Sequence, residues 1–139
     1  MFSTQNIGLR RIDISNVLLK GVTSNNYIIL PIDSIYTLIN KRQLTVTFNG
    51  GDKIYDGTNV PSQLIWQVSN NIDNEVININ SFNSFYLNQN AGIQRIDISN
   101  VILSGTTVLN YDLQPIQSIY KTISKFLTWI IFFKQLLKT

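Results

Sequence analysis

Apolar and polar residues alternate over short stretches along most of this chain. Leu44, Val46 and Phe48 alternate with Thr45 and Thr47, Val76 to Asn80 reads VININ, and Ile96 and Ile98 flank Asp97 just as Ile12 and Ile14 flank Asp13. A period of two places every second side chain on one face of a strand, so these segments predict half-buried β-strands. Turn chemistry separates them. Asn49-Gly50-Gly51-Asp52, Asp56-Gly57 and the polar run Asn70 to Asn74 supply residues that tolerate positive φ. Gly21 and Gly105 follow apolar runs and are expected to end strands. Pro31 and Pro115 open extended segments, where a missing N–H does no harm. No stretch before Lys125 carries a helical period. Short strands with turns between them predict an all-β fold, an antiparallel β-sandwich.

The pattern also repeats. Asn6 to Lys41 aligns without a gap on Asn90 to Lys125, about 84 residues later, with more than half of the positions identical. RIDISNV stands unchanged at Arg11 to Val17 and at Arg95 to Val101, and Gly21 and Asn26-Tyr27 recur as Gly105 and Asn110-Tyr111. A period of that length fits a small β domain. The expected organisation is the back half of one repeat over residues 1–41 and a complete repeat over 42–125. A hydrophobic tail over 126–139 then stands where a further repeat should open.

Composition narrows the function more than it defines it. Charged residues make up 14% of the 139-residue chain, against about 25% in ordinary soluble domains. The net charge is +3, but the basic residues are scattered and form no stripe with interleaved aromatics. Nucleic-acid binding is therefore not expected. With no Cys and no His, disulfides, thiolate or imidazole metal sites and the common nucleophile–base pairs are excluded. The eight carboxylates show no spacing suited to glycoside hydrolysis. No enzyme and no cofactor is expected. Residues 1–6 lack the pattern of a signal peptide.

The segment Leu44 to Asn59, LTVTFNGGDKIYDGTN, is followed in order by Asn90-Ala91-Gly92, Leu103-Ser104-Gly105 and Asn110-Tyr111-Asp112-Leu113. This succession resembles the YDG-type repeat of filamentous haemagglutinin-like and other large surface proteins. The resemblance covers the complete repeat, and the back half matches again through Asn6-Ile7-Gly8, Leu19-Lys20-Gly21 and Asn26-Tyr27. It departs in the middle, at Asn59 to Ser62 and at the bulky Trp66. It implies an immunoglobulin-like β-sandwich used in tandem, one complete and one partial here, as a structural or adhesive unit of a surface or secreted protein. It implies no known ligand.

Each singled-out residue has a structural and a functional reading. Asp52 and Asp56 are too few for a Ca²⁺ loop, and Tyr55-Asp56-Gly57-Thr58 reads first as a tight turn. Arg11–Asp13 and Arg95–Asp97 lie two apart on a strand and are expected to pair on its solvent face. Tyr27 and Tyr111, each after an Asn, read as edge or core anchors. Trp66, Phe82, Phe85 and Tyr86 read first as fillers of a core or of the join between modules, with Trp66, Phe82 and Tyr86 as the candidate ligand-stacking residues. A carbohydrate- or ligand-binding module and a virion fibre or surface component are the competing functions. The expected partners are neighbouring repeats or other copies through β edges, and a surface glycan or protein.

The tail FLTWIIFFKQLL, residues 126–137, is too short for the roughly 20 apolar residues of a membrane span. The expected origin is truncation or a frame shift. The alternatives are contact with a membrane surface and a strand that pairs elsewhere.

Overall fold

The structure, a computed structural model, describes Met1 and residues 5–128. Nine strands run in chain order: β1 (Gly8–Ile12), β2 (Ile35–Ile39), β3 (Arg42–Gly50), β4 (Lys53–Ile54), β5 (Leu64–Ser69), β6 (Asn78–Tyr86), β7 (Gly92–Ser104), β8 (Tyr111–Leu113) and β9 (Ile119–Ser124). The fold is all-β. Two 3₁₀ turns, Ser24–Asn26 and Val108–Asn110, are the only helical elements among the described residues.

Strands β3 to β9 make two sheets. One has the order β5-β3-β8 and the other β4-β9-β7-β6. The apolar positions that alternate along β3 are Leu44, Val46 and Phe48, and all three are buried. Val46 and Phe48, with Leu64 of β5, meet Ile79 and Tyr86 of β6, Ile96 of β7 and Ile123 of β9 in one cluster. The two sheets thus bury their inner faces against each other, which is the main source of stability in a domain of this size. A second cluster, Leu44, Ile77 and Tyr111, closes one end.

Two parallel ladders complete the module. Arg42–Leu44 of β3 pair with Tyr111–Leu113 of β8, and Lys53-Ile54 of β4 pair with Ile123-Ser124 of β9.

Strands β6 and β7 each change face partway along. Their register shifts between Ile79 and Ser81, and again between Ser81 and Asn83. One extra residue on a strand moves every later side chain to the opposite face. On β6 the inward set therefore passes from Ile79 to Phe82 and Tyr86, and on β7 from Ile96 and Ile98 to Val101 and Leu103. Asn100 takes φ 50° inside the irregularity, in the left-handed region that Asn enters more readily than most residues.

The first copy of the repeated segment adopts the same local geometry as the second where it is paired. Gly8 pairs with Ile39 and Ile12 with Ile35 across β1 and β2, as Gly92 pairs with Ile123 and Ile96 with Ile119 across β7 and β9. Asn16 has φ 54°, matching Asn100, and Ser24–Asn26 forms the 3₁₀ turn that recurs at Val108–Asn110. The copies then diverge. β7 runs on to Ser104, whereas β1 stops at Ile12 although the next residues are the same. The expected strand around Ile14 is therefore absent, and Gly21 ends no strand. The reason is hydrogen bonding: β7 continues because β6 pairs with it, and β1 and β2 pair only with each other among the described residues. The two copies touch where Asn110 Oδ1 accepts the Ile7 amide and Asn110 Nδ2 donates to Asn6 Oδ1, both at 3.3 Å. Lys41 also bonds Asp112, at 3.1 Å.

Candidate functional site

The Tyr55-Asp56-Gly57-Thr58 segment is a turn held by Lys53, whose side chain is largely covered. Lys53 Nζ donates to Asp56 Oδ1 at 2.7 Å and to the carbonyl and hydroxyl of Thr58 at 2.8 and 3.0 Å. The Thr58 amide and hydroxyl also donate to Asp56 Oδ1, both at 2.9 Å. Gly57 supplies the left-handed residue, φ 77°, that brings Thr58 back to Asp56. The Lys53 hydrogen bond, with those from Thr58, lowers the Asp56 pKa from 3.8 to about 2. The Lys53 ammonium also lies 5.9 Å from the centre of the Tyr86 ring, within reach of a cation–π attraction.

Asp52, four residues before Asp56, is engaged elsewhere. Its Oδ1 accepts the Thr122 amide of β9 at 2.6 Å, and its carbonyl accepts the Ser62 hydroxyl at 2.6 Å. The two carboxylates considered for Ca²⁺ thus serve a turn and a strand. Among the described residues no three His, Cys, Asp or Glu side chains gather as a metal-binding group.

The β4–β9 ladder carries this turn to the end of β9, and β7 begins opposite the same end, with Gly92 paired to Ile123. Two motifs far apart in sequence, Tyr55-Asp56-Gly57 and Asn90-Ala91, therefore line one open hollow of about 680 Å³ together with Phe126. Lys125 and Thr128 complete its lining, and its one carboxylate is already engaged by Lys53 and Thr58.

The sequence-predicted ligand residues differ in exposure, although Trp66 and Phe82 touch. Tyr86 is fully buried and its hydroxyl donates to the Gly51 carbonyl at 2.7 Å, so it is a core residue and no ligand can stack on it. Phe82 is half-buried, edge-on between Phe48 (5.0 Å between ring centres) and Trp66 (5.6 Å). Trp66 is 45% exposed on β5, beside a shallow hollow of about 520 Å³ edged by Thr47, Asn49 and Gln67. Phe85 lies on the outer face of β6, partly exposed. Trp66 combines a partly open ring with neighbouring hydrogen-bonding groups.

Tyr111 is the other anchored aromatic. Its hydroxyl donates to Glu75 and accepts the Ile72 amide at 2.9 Å, tying the Asn70 to Asn74 turn to β8. Burial, and secondarily Glu75, raises its pKa above 10. Tyr111 is 5% exposed, whereas its counterpart Tyr27 is 68% exposed. Both expected Arg–Asp pairs form. Arg11 Nε lies 2.7 Å from Asp13, and Arg95 binds Asp97 through two contacts of 2.7 and 3.0 Å. The Arg95 bonds lower the Asp97 pKa.

Sequence reasoning did not anticipate Lys53 as the organiser of the turn or Glu75 as the partner of Tyr111. The spacing Lys-x-x-Asp was visible for the first. Nothing local signals the second, because 36 residues separate the partners.

These features define an all-β module whose distinctive polar residues hold turns and strand ends. The family model of the YDG domain matches residues 40–118, more than half of the chain, and the chain belongs to the YDG domain family. No curated protein and no solved structure matches it.

Proposed function

We propose that this chain is a non-catalytic structural or adhesive part of a large surface or secreted protein, built from immunoglobulin-like β-sandwich repeats in tandem. The observation that carries the reading is recurrence. The same strand register, 3₁₀ turn and Arg–Asp pair occur in both copies. A scaffold reuses its parts in every repeat, whereas a catalytic centre has no need of a copy one repeat length away. The engagement of Lys53 and Asp56 in a turn, and of Asp52 with strand β9, points the same way. In this reading the module holds other regions away from a surface and offers its edges and loops for contact. The test is labelling of intact source cells with an antibody against residues 42–125. Label removed by external protease supports the reading, and label seen only after permeabilisation overturns it.

A second reading rests on Trp66. An exposed indole beside Thr47, Asn49 and Gln67 has the make-up of a sugar-stacking surface. Glycan-array binding that disappears in Trp66→Ala, with the fold intact, would favour it. An array showing no binding by the wild-type chain would remove it.

A further inference from the structure

We propose that residues 8–39 form an acceptor for the front half of a neighbouring YDG repeat, seated as a β-strand along Asp13 to Lys20. The proposal rests on the modular reading above and adds a specific interaction surface to it.

The chain contains its own template for this contact. In the second copy, β6 covers β7 from Ile96 to Ser104. In the first copy, the corresponding backbone from Asp13 to Lys20 is not a strand. One fragment of the ladder is nevertheless in place. The Met1 ammonium donates to the Asp13 carbonyl at 2.6 Å, and the Asp13 amide donates to the Met1 carbonyl at 2.7 Å. Met1 stands one repeat length before Phe85, and Asp13 one repeat length before Asp97, the residue that Phe85 faces across β6 and β7. The seat for a β6-type strand is thus entered in register at the position equivalent to Phe85.

Side chains agree with the backbone. Ile98, Val101 and Leu103 pack on the core beneath β6. Their counterparts Ile14, Val17 and Leu19 are 45%, 42% and 48% exposed. Exposed apolar side chains along a segment that has no strand partner among the described residues offer a seat for another strand. Asn16 already holds the left-handed conformation that Asn100 uses where β7 shifts register against β6. The bend that fits the missing strand therefore precedes its arrival.

A second copy of this chain is a poor occupant. Each chain holds two back halves, 8–39 and 92–124, and one front half, 42–86. Exchange between copies covers one edge by uncovering another, with no net gain. A front half from a different repeat covers the edge outright.

The test joins a second copy of residues 42–84 directly ahead of Met1 in the full chain, which preserves the register, and follows amide hydrogen exchange. The expected result is that Ile14 to Leu19 exchange at least about a hundredfold more slowly than in the unextended chain, approaching Ile98 to Leu103, as in a paired core strand. Unchanged exchange overturns the proposal. A control extension of the same composition with its alternation scrambled should give no protection, and equal protection from it would mean unspecific covering and would also overturn the proposal. Concentration-dependent protection in the unextended chain, lost on dilution, would make a second copy the occupant and overturn it too. None of these outcomes bears on cell-surface labelling, so failure here is separable from failure of the modular reading.

Discussion

The hydroxyl of Tyr86, at the end of β6, donates a 2.7 Å hydrogen bond to the carbonyl of Gly51, in the turn that leaves β3. It ties one sheet to the turn that leaves the other inside a dry core. Tyr86→Phe keeps the ring and leaves the Gly51 carbonyl without this donor. The carbonyl keeps the Ser62 amide at 3.3 Å, so a cost of about 0.5–1.5 kcal/mol is expected, the net worth of one hydrogen bond. Urea denaturation should show a lower midpoint with an unchanged slope.

Gly51 and Gly57 both have positive φ, 99° and 77°, but only the first is crowded. A Cβ on Gly51 would come within 2.7 Å of Ile96 Cδ1, whereas a Cβ on Gly57 meets nothing. Gly57→Ala should cost about 1–2 kcal/mol, from the left-handed backbone alone. Gly51→Ala adds overpacking of about 1–3 kcal/mol. Parallel thermal melts of the two variants test this order, and equal losses would refute the crowding argument.

The pH dependence of the turn follows from Asp56. Its folded pKa of about 2 lies below the ordinary 3.8, so the folded state binds its proton later than the unfolded state does. The stabilisation is complete above about pH 4 and is lost as the pH falls through 2. Asp97, lowered by Arg95, adds to the same acid-side loss. A carboxyl NMR titration should place the Asp56 midpoint near 2, and Asp56→Asn should weaken the fall in melting temperature between pH 4 and 2.

The Arg95–Asp97 pair is exposed despite its double contact. Arg95→Ala is expected to lower stability only slightly, as for other surface ion pairs, and the loss should shrink in high salt. Denaturant melts at low and at molar salt check both statements.

Trp66 packs against Phe82 and stays 45% exposed. Trp66→Ala should cost about 1–2 kcal/mol, mostly through that contact and the partial burial. Its effect on unfolding is read independently of any loss of glycan binding.

The sequence made some of this legible and hid the rest for physical reasons. The alternation of Leu44, Val46 and Phe48 placed β3 and its buried face correctly, because a regular strand keeps a period of two. The same rule does not reach Tyr86. Counting by twos from Ile79 puts Phe85 inside and Tyr86 outside, but the extra residue on β6 reverses the parity, so Tyr86 became core instead of a ligand platform. A register shift depends on the partner strand and leaves no mark in the local pattern. The first copy shows the same limit: RIDISNV is a strand at Arg95 and stops being one after Ile12, since the partner and not the sequence completes it. The expectations for the tail fall largely outside the described residues, which end at Thr128. Among those described, no helix is long and apolar enough to cross a membrane.

The two parallel ladders have a mechanical consequence. β3 enters the module at Arg42 beside β8, and β9 leaves it at Ser124 beside β4. Tension applied at these two ends slides each terminal strand along its parallel neighbour. The hydrogen bonds of a ladder then stretch together instead of opening one after another, as they would in a hairpin pulled from its open end. The direction of the terminal strands makes the module resist extension as a unit, without a covalent cross-link in a chain that has no cysteine.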